Sequence, residues 1–367
     1  MTLGAPRAMS LLQQALRHPA ALTSFNGRDW DHLIRLLRVA DLTARVAHVA
    51  QQAQVWEALP EAPRRYLASG LHLAQRQQRE LRFELRELDA TLAGQGQPVL
   101  LLKGAAYVAA ASDAAQGRMV SDVDVLVRQD SLDEVESTLI KAGWISTATS
   151  DYDQRYYRTW MHELPPMTHI KRGTVLDVHH AIMPLSARVL PSSALLLQAA
   201  RPLPGFACLH VLAPVDQVLH SATHLMHEGE FQLGMRGLVD LDALLREHGS
   251  ASDFWPHLVA RASALQLTRP LFYALRYVGM MLGTVVPQEV LTELDQAPGA
   301  RPGAWRLKWM DAMFTRVLCP PHPLVADRWT PLARGFLYLR GHWLRMPPGL
   351  LTVHLLRKLW LSQPQGA

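Results

Sequence analysis

The sequence predicts an α+β fold in which a small mixed β-sheet lies between two helical regions. Three observations predict it. Apolar residues recur at helical spacing from about residue 10 to residue 94, and short apolar or alternating runs fill 97–182. From Pro184 onward the pattern is again helical almost to the end, punctuated by prolines. The order helices, strands, helices fits α+β better than the regular alternation that builds a doubly wound sheet. The expected division is an N-terminal helical region packed on the core (1–96), an α/β core (97–183) and a C-terminal helical domain (184–367).

Each element has a local reason. Leu33, Leu36 and Leu37, then Leu81, Leu85, Leu88 and Leu92, mark buried helix faces, and Gly94 and Gly96 stop the last of these helices. The apolar run at 97–102 suits a buried strand, followed by a turn at Lys103-Gly104 and an alanine-rich helix. Residues 123–127 form the second strand. Ser131 with Glu134 has capping-box spacing, which predicts a helix over 132–142 ended by Gly143. The stretch 144–182, rich in Tyr, Thr, Val and Trp, predicts antiparallel strands turning at Pro165-Pro166 and Arg172-Gly173. In its last strand, 174–180, Asp177 and His179 share one face and His180 takes the other.

Composition narrows the function classes. At 367 residues the chain forms one large or two closely packed domains, and 49% apolar with 19% charged residues excludes a disordered protein. Cys208 and Cys319 lack CxxC spacing, so neither a disulfide framework nor a thiolate zinc site is expected, and a reducing, cytoplasmic setting is. The net charge of +5 is scattered, with Arg79, Arg82 and Arg86 interleaved with Glu80, Glu84 and Glu87, so a nucleic-acid partner is not expected. No leader-like apolar core or membrane-length apolar run is present.

The chemistry concentrates at 99–128. Strand alternation sends Asp122 and Asp124 to one face while Val123 and Val125 point into the core. Two adjacent carboxylates repel unless a cation joins them, and such hard oxygen ligands suit Mg²⁺. In-line attack on a nucleotide α-phosphate uses two ions about 4 Å apart, for which two aspartates are too few. Asp177 on the later strand can supply the third carboxylate. Lys103 and Gly104 would bring a cation and backbone N–H groups towards a triphosphate, and Arg118 a second positive contact. His162 and His179 lie near these strands as substrate contacts or proton acceptors, His179 being better placed.

LLKG at 101–104, RMVSDVDVLV at 118–127, HELPPM at 162–167 and LDVHH at 176–180 together resemble the uncharacterised nucleotidyltransferase family of the DNA polymerase β-like superfamily. Residues 216–220, His224 and 236–241 are similar to that family's helical region, so the resemblance spans about 81–245. It implies that Asp122 and Asp124 are the paired metal-binding aspartates and Asp177 the third carboxylate. It also implies two Mg²⁺ ions and an NTP substrate such as ATP. Lys103-Gly104 stands where the wider superfamily usually has Gly-Ser, and a long insertion separates Gly104 from Asp122.

The expected activity is transfer of a nucleoside monophosphate from an NTP to an acceptor hydroxyl, with release of pyrophosphate. The acceptor is left open among a small molecule, a protein, a sugar and, more weakly, RNA. The alternative is a catalytically silent nucleotide-binding module in a biosynthetic or regulatory assembly. His220, His224 and His227 share one helix face, read as lining the cleft or facing the sheet in preference to holding Zn²⁺. Arg236 and Asp240 have the spacing of an i, i+4 pair. The basic, aromatic segment 332–361 is read as packing on the helical domain, with peripheral membrane contact as the other reading.

Overall fold

The computed structural model describes residues 7–147, 157, 161–227, 229–347 and 349. The N-terminal region holds α1 (Arg7–Arg17), α2 (Gly27–Ala40), α3 (Thr43–Gln52) and the long α4 (Glu61–Leu92). Then come β1 (Val99–Leu101), α5 (Lys103–Ala109), β2 (Asp122–Leu126), α6 (Leu132–Lys141), β3 (Trp144–Ser146), β4 (Met167–His169) and β5 (Val175–His179). The chain continues through α7 (Ser193–Gln198), β6 (Arg201–Pro202) and β7 (Leu209–Val211). It finishes with α8 (Pro214–His227), α9 (Gly234–His248), α10 (Phe254–Ala264), α11 (Thr268–Leu282), α12 (Gln288–Gln296), α13 (Ala304–Val317) and α14 (Thr330–Arg345). The α+β reading therefore holds.

The strands form one mixed sheet in the order β3-β4-β5-β2-β1-β7-β6. β2 runs antiparallel to β1 and parallel to β5. That parallel register sets Asp124 directly opposite Asp177, so alternation carries both carboxylates to one face. Val123, Val125, Leu176 and Val178 are buried on the other side of the pleat. A continuous hydrophobic core runs from α1 to α14 and includes the predicted Leu33, Leu36, Leu37, Leu81, Leu85, Leu88 and Leu92.

Four local expectations need correction. The chain after Pro184 is not wholly helical: β6 and β7 extend the sheet, with β7 parallel to β1. The Asp89 carboxylate on α4 accepts N–H groups of Ala207, Cys208 and Leu209, which fixes the start of β7 from a distant part of the chain. Ser131 does not cap α6. A 3₁₀ turn at Gln129–Ser131 leads into the helix, and the Ser131 hydroxyl donates to the Arg128 carbonyl instead.

Pro165-Pro166 does not reverse the chain. Glu163 bridges His179 while Met167 pairs with Leu176, so the segment stays antiparallel to β5 with one extra residue accommodated at the prolines. Proline lacks an N–H to contribute to the ladder, so this bulge is a position it tolerates. Fourth, Arg236 does not pair with Asp240; its guanidinium reaches Asp41 at 2.6 Å. The first part of the basic, aromatic segment 332–361 lies in α14, with Ala333 and Leu337 buried and Leu332, Leu339 and Trp343 exposed; residues 350–361 lie outside the described residues. Among the described residues, no helix is long and apolar enough to cross a membrane.

The N-terminal helices hold the long insertion between α5 and β2. Arg45 donates to the carbonyls of Asp113 and Ala114, and Gln78 to those of Ala115 and Arg118. Gly117 adopts φ +65°, and an added Cβ would lie 2.4 Å from the Ala44 carbonyl oxygen, so the backbones approach too closely for a side chain.

Glu84 on α4 is buried and accepts from Arg172 through Nε and Nη2, and from Thr174 Oγ1 at 2.9 Å. It ties the β4–β5 turn, and hence the strand bearing Asp177, to the helical layer. Glu84→Ala would strand a partly buried guanidinium. Its predicted cost is about 2–3 kcal/mol in urea unfolding, whereas a loss under about 0.5 kcal/mol would show the tie to be dispensable.

Candidate active site

Asp124 is the centre of the site. Its side chain is buried, and its Oδ1 accepts from Lys103 Nζ at 2.9 Å and meets His179 Nε2 at 3.0 Å. Burial would raise its pKa, but the Lys103 ammonium and the His179 contact outweigh that and hold the carboxyl well below the usual range. Asp124 therefore stays ionised.

Asp177 has the opposite fate. Burial first, then the charges of Asp124 and Glu163, push its carboxyl up to about 6. Its Oδ1 is buried with no hydrogen-bond partner. A buried, unpaired carboxylate oxygen between like charges is what a cation would relieve, so the residues fit a hard divalent ion. Asp122 is only half-buried, and its Oδ1 accepts from Ser121 Oγ.

Lys103 opens α5 at φ +47°, the left-handed region, which costs a residue with a Cβ about 1–2 kcal/mol. The Asp124 ion pair helps offset that cost. At Gly104, next in the chain, an added Cβ would lie 2.1 Å from Arg118 Nη1, so a side chain there would displace that guanidinium. The Arg118 guanidinium, expected as a free triphosphate contact, is already buried in an ion pair with Asp240 at 2.9 Å and lies over the Tyr107 ring. It could meet a phosphate only while shared with Asp240.

Helices α8 and α9 roof this face of the sheet. Between them and the strands lies a cavity of about 350 Å³, lined among others by Lys103, Gly104, Arg118, Asp122, Asp124 and Asp240. His224 also lines it, whereas His220 is buried behind it and depressed to about 3 by burial and by Lys103. His227 is buried too, and burial lowers it to about 4. The three histidines thus share a face but not an environment.

His162 does not line that cavity. It packs beside His179, ring centroids 5.2 Å apart, and burial with the nearby His179 and Lys103 depresses it to about 2, so it is neutral. Glu163, which the sequence reading passed over, has its Oε2 3.0 Å from His179 Nδ1. The only signal for it was its place in HELPPM, and the expected turn at the prolines hid its register with His179.

With this geometry in hand, comparison with known proteins gives one match. The family model described as uncharacterised nucleotidyltransferase matches residues 26–283. The chain belongs to this family. In this nucleotidyltransferase family member the match begins at the N-cap of α2 and ends just after α11, so it covers α2–α4, the sheet and helices α8 and α9. No curated protein and no solved structure matches the chain.

Asp177 makes the site pH-sensitive in a defined sense. An acid whose pKa is raised on folding binds its proton more tightly when folded, so its contribution favours the folded state at acid pH. That contribution is lost as pH rises from about 4 through about 6. Metal-free Asp177→Asn is predicted to be about as stable as wild type near pH 4. At pH 8 it should be more stable by about 1–2 kcal/mol, discounted for partial solvent access. Parallel stability–pH curves in urea unfolding would contradict this.

Proposed function

We propose that the protein is an Mg²⁺-dependent nucleotidyltransferase that moves a nucleoside monophosphate from an NTP to an acceptor hydroxyl and releases pyrophosphate. The observation that carries this reading is the Asp124–Asp177 register, which brings two carboxylates together and leaves a buried Asp177 oxygen unpaired. Asp122, Asp124 and Asp177 would hold the metal. When bound, Mg²⁺ supplies Lewis-acid stabilisation of the phosphates and a lowered pKa for the attacking hydroxyl.

The chain's own residues would do the positioning. Lys103 can leave Asp124 for a phosphate oxygen once another cation neutralises that carboxylate, because both partners border the same cavity. Arg118, held over Gly104 by Asp240, presents a fixed positive charge at the cavity wall. His179 orients Asp124 through Nε2. Helices α8 and α9 line the cavity opposite the strands, with Ser221, His224 and Asp240 facing the substrate space.

One observation favours a second reading, a nucleotide-binding module without turnover: the Lys103 ammonium already occupies Asp124 Oδ1, where a metal ligand is needed. Calorimetry separates the two, since Mg²⁺-dependent NTP binding without product across a wide acceptor screen supports the module.

The direct test is pyrophosphate release from each NTP with Mg²⁺ across small-molecule, sugar and protein acceptors. Asp122→Ala and Asp124→Ala are each predicted to lower turnover at least about 10²–10³-fold while binding of the acceptor survives. Wild-type turnover in both variants would remove the metal assignment.

A further inference from the structure

Beside the aspartates, on the side of β5 away from Lys103's helix, lies a second group of ligand-type side chains. One ligand atom from each of His162, Glu163 and His179 falls within 4.8 Å of the others. The bulge at Pro165-Pro166 brings them together, because it keeps residues 162–164 hydrogen-bonded along β5: Leu164 N–H donates to the Val178 carbonyl, and His180 N–H to that of His162.

The geometry shows why a cation fits the group. His179 Nε2 meets Asp124 Oδ1 and its Nδ1 meets Glu163 Oε2, each at 3.0 Å, so both ring nitrogens face carboxylates. His162 Nδ1 is buried with no hydrogen-bond partner. An unmatched buried nitrogen, in a cluster whose ligand atoms lie within 4.8 Å of one another, is what a bound cation would satisfy. Two ligands bound to one ion at about 2.0–2.1 Å and about 90–110° lie about 2.9–3.4 Å apart, which brackets the Glu163–His179 separation.

We infer that His162, Glu163 and His179 form a Zn²⁺ site, distinct from the aspartate cluster, with Asp124 as the carboxylate that orients His179 from behind. Two imidazoles and one carboxylate suit a borderline transition ion; Mg²⁺, which prefers oxygen donors, is a poor match. The chain Asp124–His179–Zn²⁺ is a carboxylate–histidine–metal arrangement, in which the outer carboxylate fixes the tautomer and raises ligand basicity. Asp124 then joins the two sites: its Oδ1 meets His179, and Zn²⁺ occupancy holds it in place for the neighbouring aspartates. The inference does not depend on nucleotidyl transfer.

The test uses metal-stripped full-length protein, ZnCl₂ alone and no nucleotide. Calorimetry is expected to show one site, and Co²⁺ substitution a visible d–d spectrum of a site with nitrogen and oxygen ligands. His162→Ala and Glu163→Gln should each weaken Zn²⁺ at least about 100-fold, Asp124→Asn about 10–100-fold through the lost outer carboxylate, and Asp122→Asn should leave it unchanged. Circular-dichroism melts identify any variant that fails to fold, and X-ray absorption on wild type, expected to show two imidazoles, stands without the variants. The inference is overturned if wild type binds no Zn²⁺ at micromolar concentration, if its absorption spectrum shows fewer than two imidazoles, or if folded His162→Ala and Glu163→Gln bind as wild type does while Asp122→Asn does not.

Discussion

Like charges held together on adjacent strands are the constraint on which the rest of the structure depends. The parallel β2–β5 register places Asp124 against Asp177, and the bulge in the strand beyond adds Glu163. No sheet gains stability from this; each buried carboxylate pays a desolvation cost that only a positive partner relieves. The protein relieves one of them fully. Asp124 receives both Lys103 and His179, whereas Asp177 is left with an unpaired oxygen and a raised pKa. The asymmetry gives the site a direction, with one carboxylate fixed in charge and one responsive to whatever cation arrives.

The surrounding layers exist to hold that arrangement. Lys103 keeps a left-handed backbone that glycine would adopt more cheaply, and it thereby brings its ammonium to Asp124. The insertion ahead of β2 would be a floppy loop by length, yet Arg45, Gln78 and the close packing of Gly117 on Ala44 anchor it to the N-terminal helices. It delivers Arg118 to the cavity, where Asp240 from α9 receives it. Glu84 performs the same service for the β4–β5 turn from the opposite side. Buried ion pairs of this kind add little net stability, but breaking one is costly, so they specify position more than they add strength.

What was legible in the sequence follows from the range of the forces involved. The helices over 10–94, the strands around Leu100, Val125 and Val178, and the shared face of Asp122, Asp124 and Asp177 were legible because periodicity and alternation are local signals. β6 and β7 were not, since they are two and three residues long and owe their place to pairing with β1 and to Asp89. Ion-pair partners failed for the same reason: Arg236 and Asp240 had helical spacing, but Asp41 and Arg118, distant in sequence, offered better geometry. Glu163 was hidden by reading two prolines as a turn when the ladder could absorb them as a bulge.

The family match spans the sheet and the cavity beside it, and the electrostatics of the proposed site say what it is prepared to accept. That reading rests on Asp177 more than on any other group. Its titration in wild-type protein, followed by carboxyl-carbon NMR with and without Mg²⁺, tests the account most directly. The predicted result is a midpoint of about 6 without metal, falling below the ordinary aspartate value when Mg²⁺ is saturating. A midpoint near 4 that ignores Mg²⁺ would contradict it.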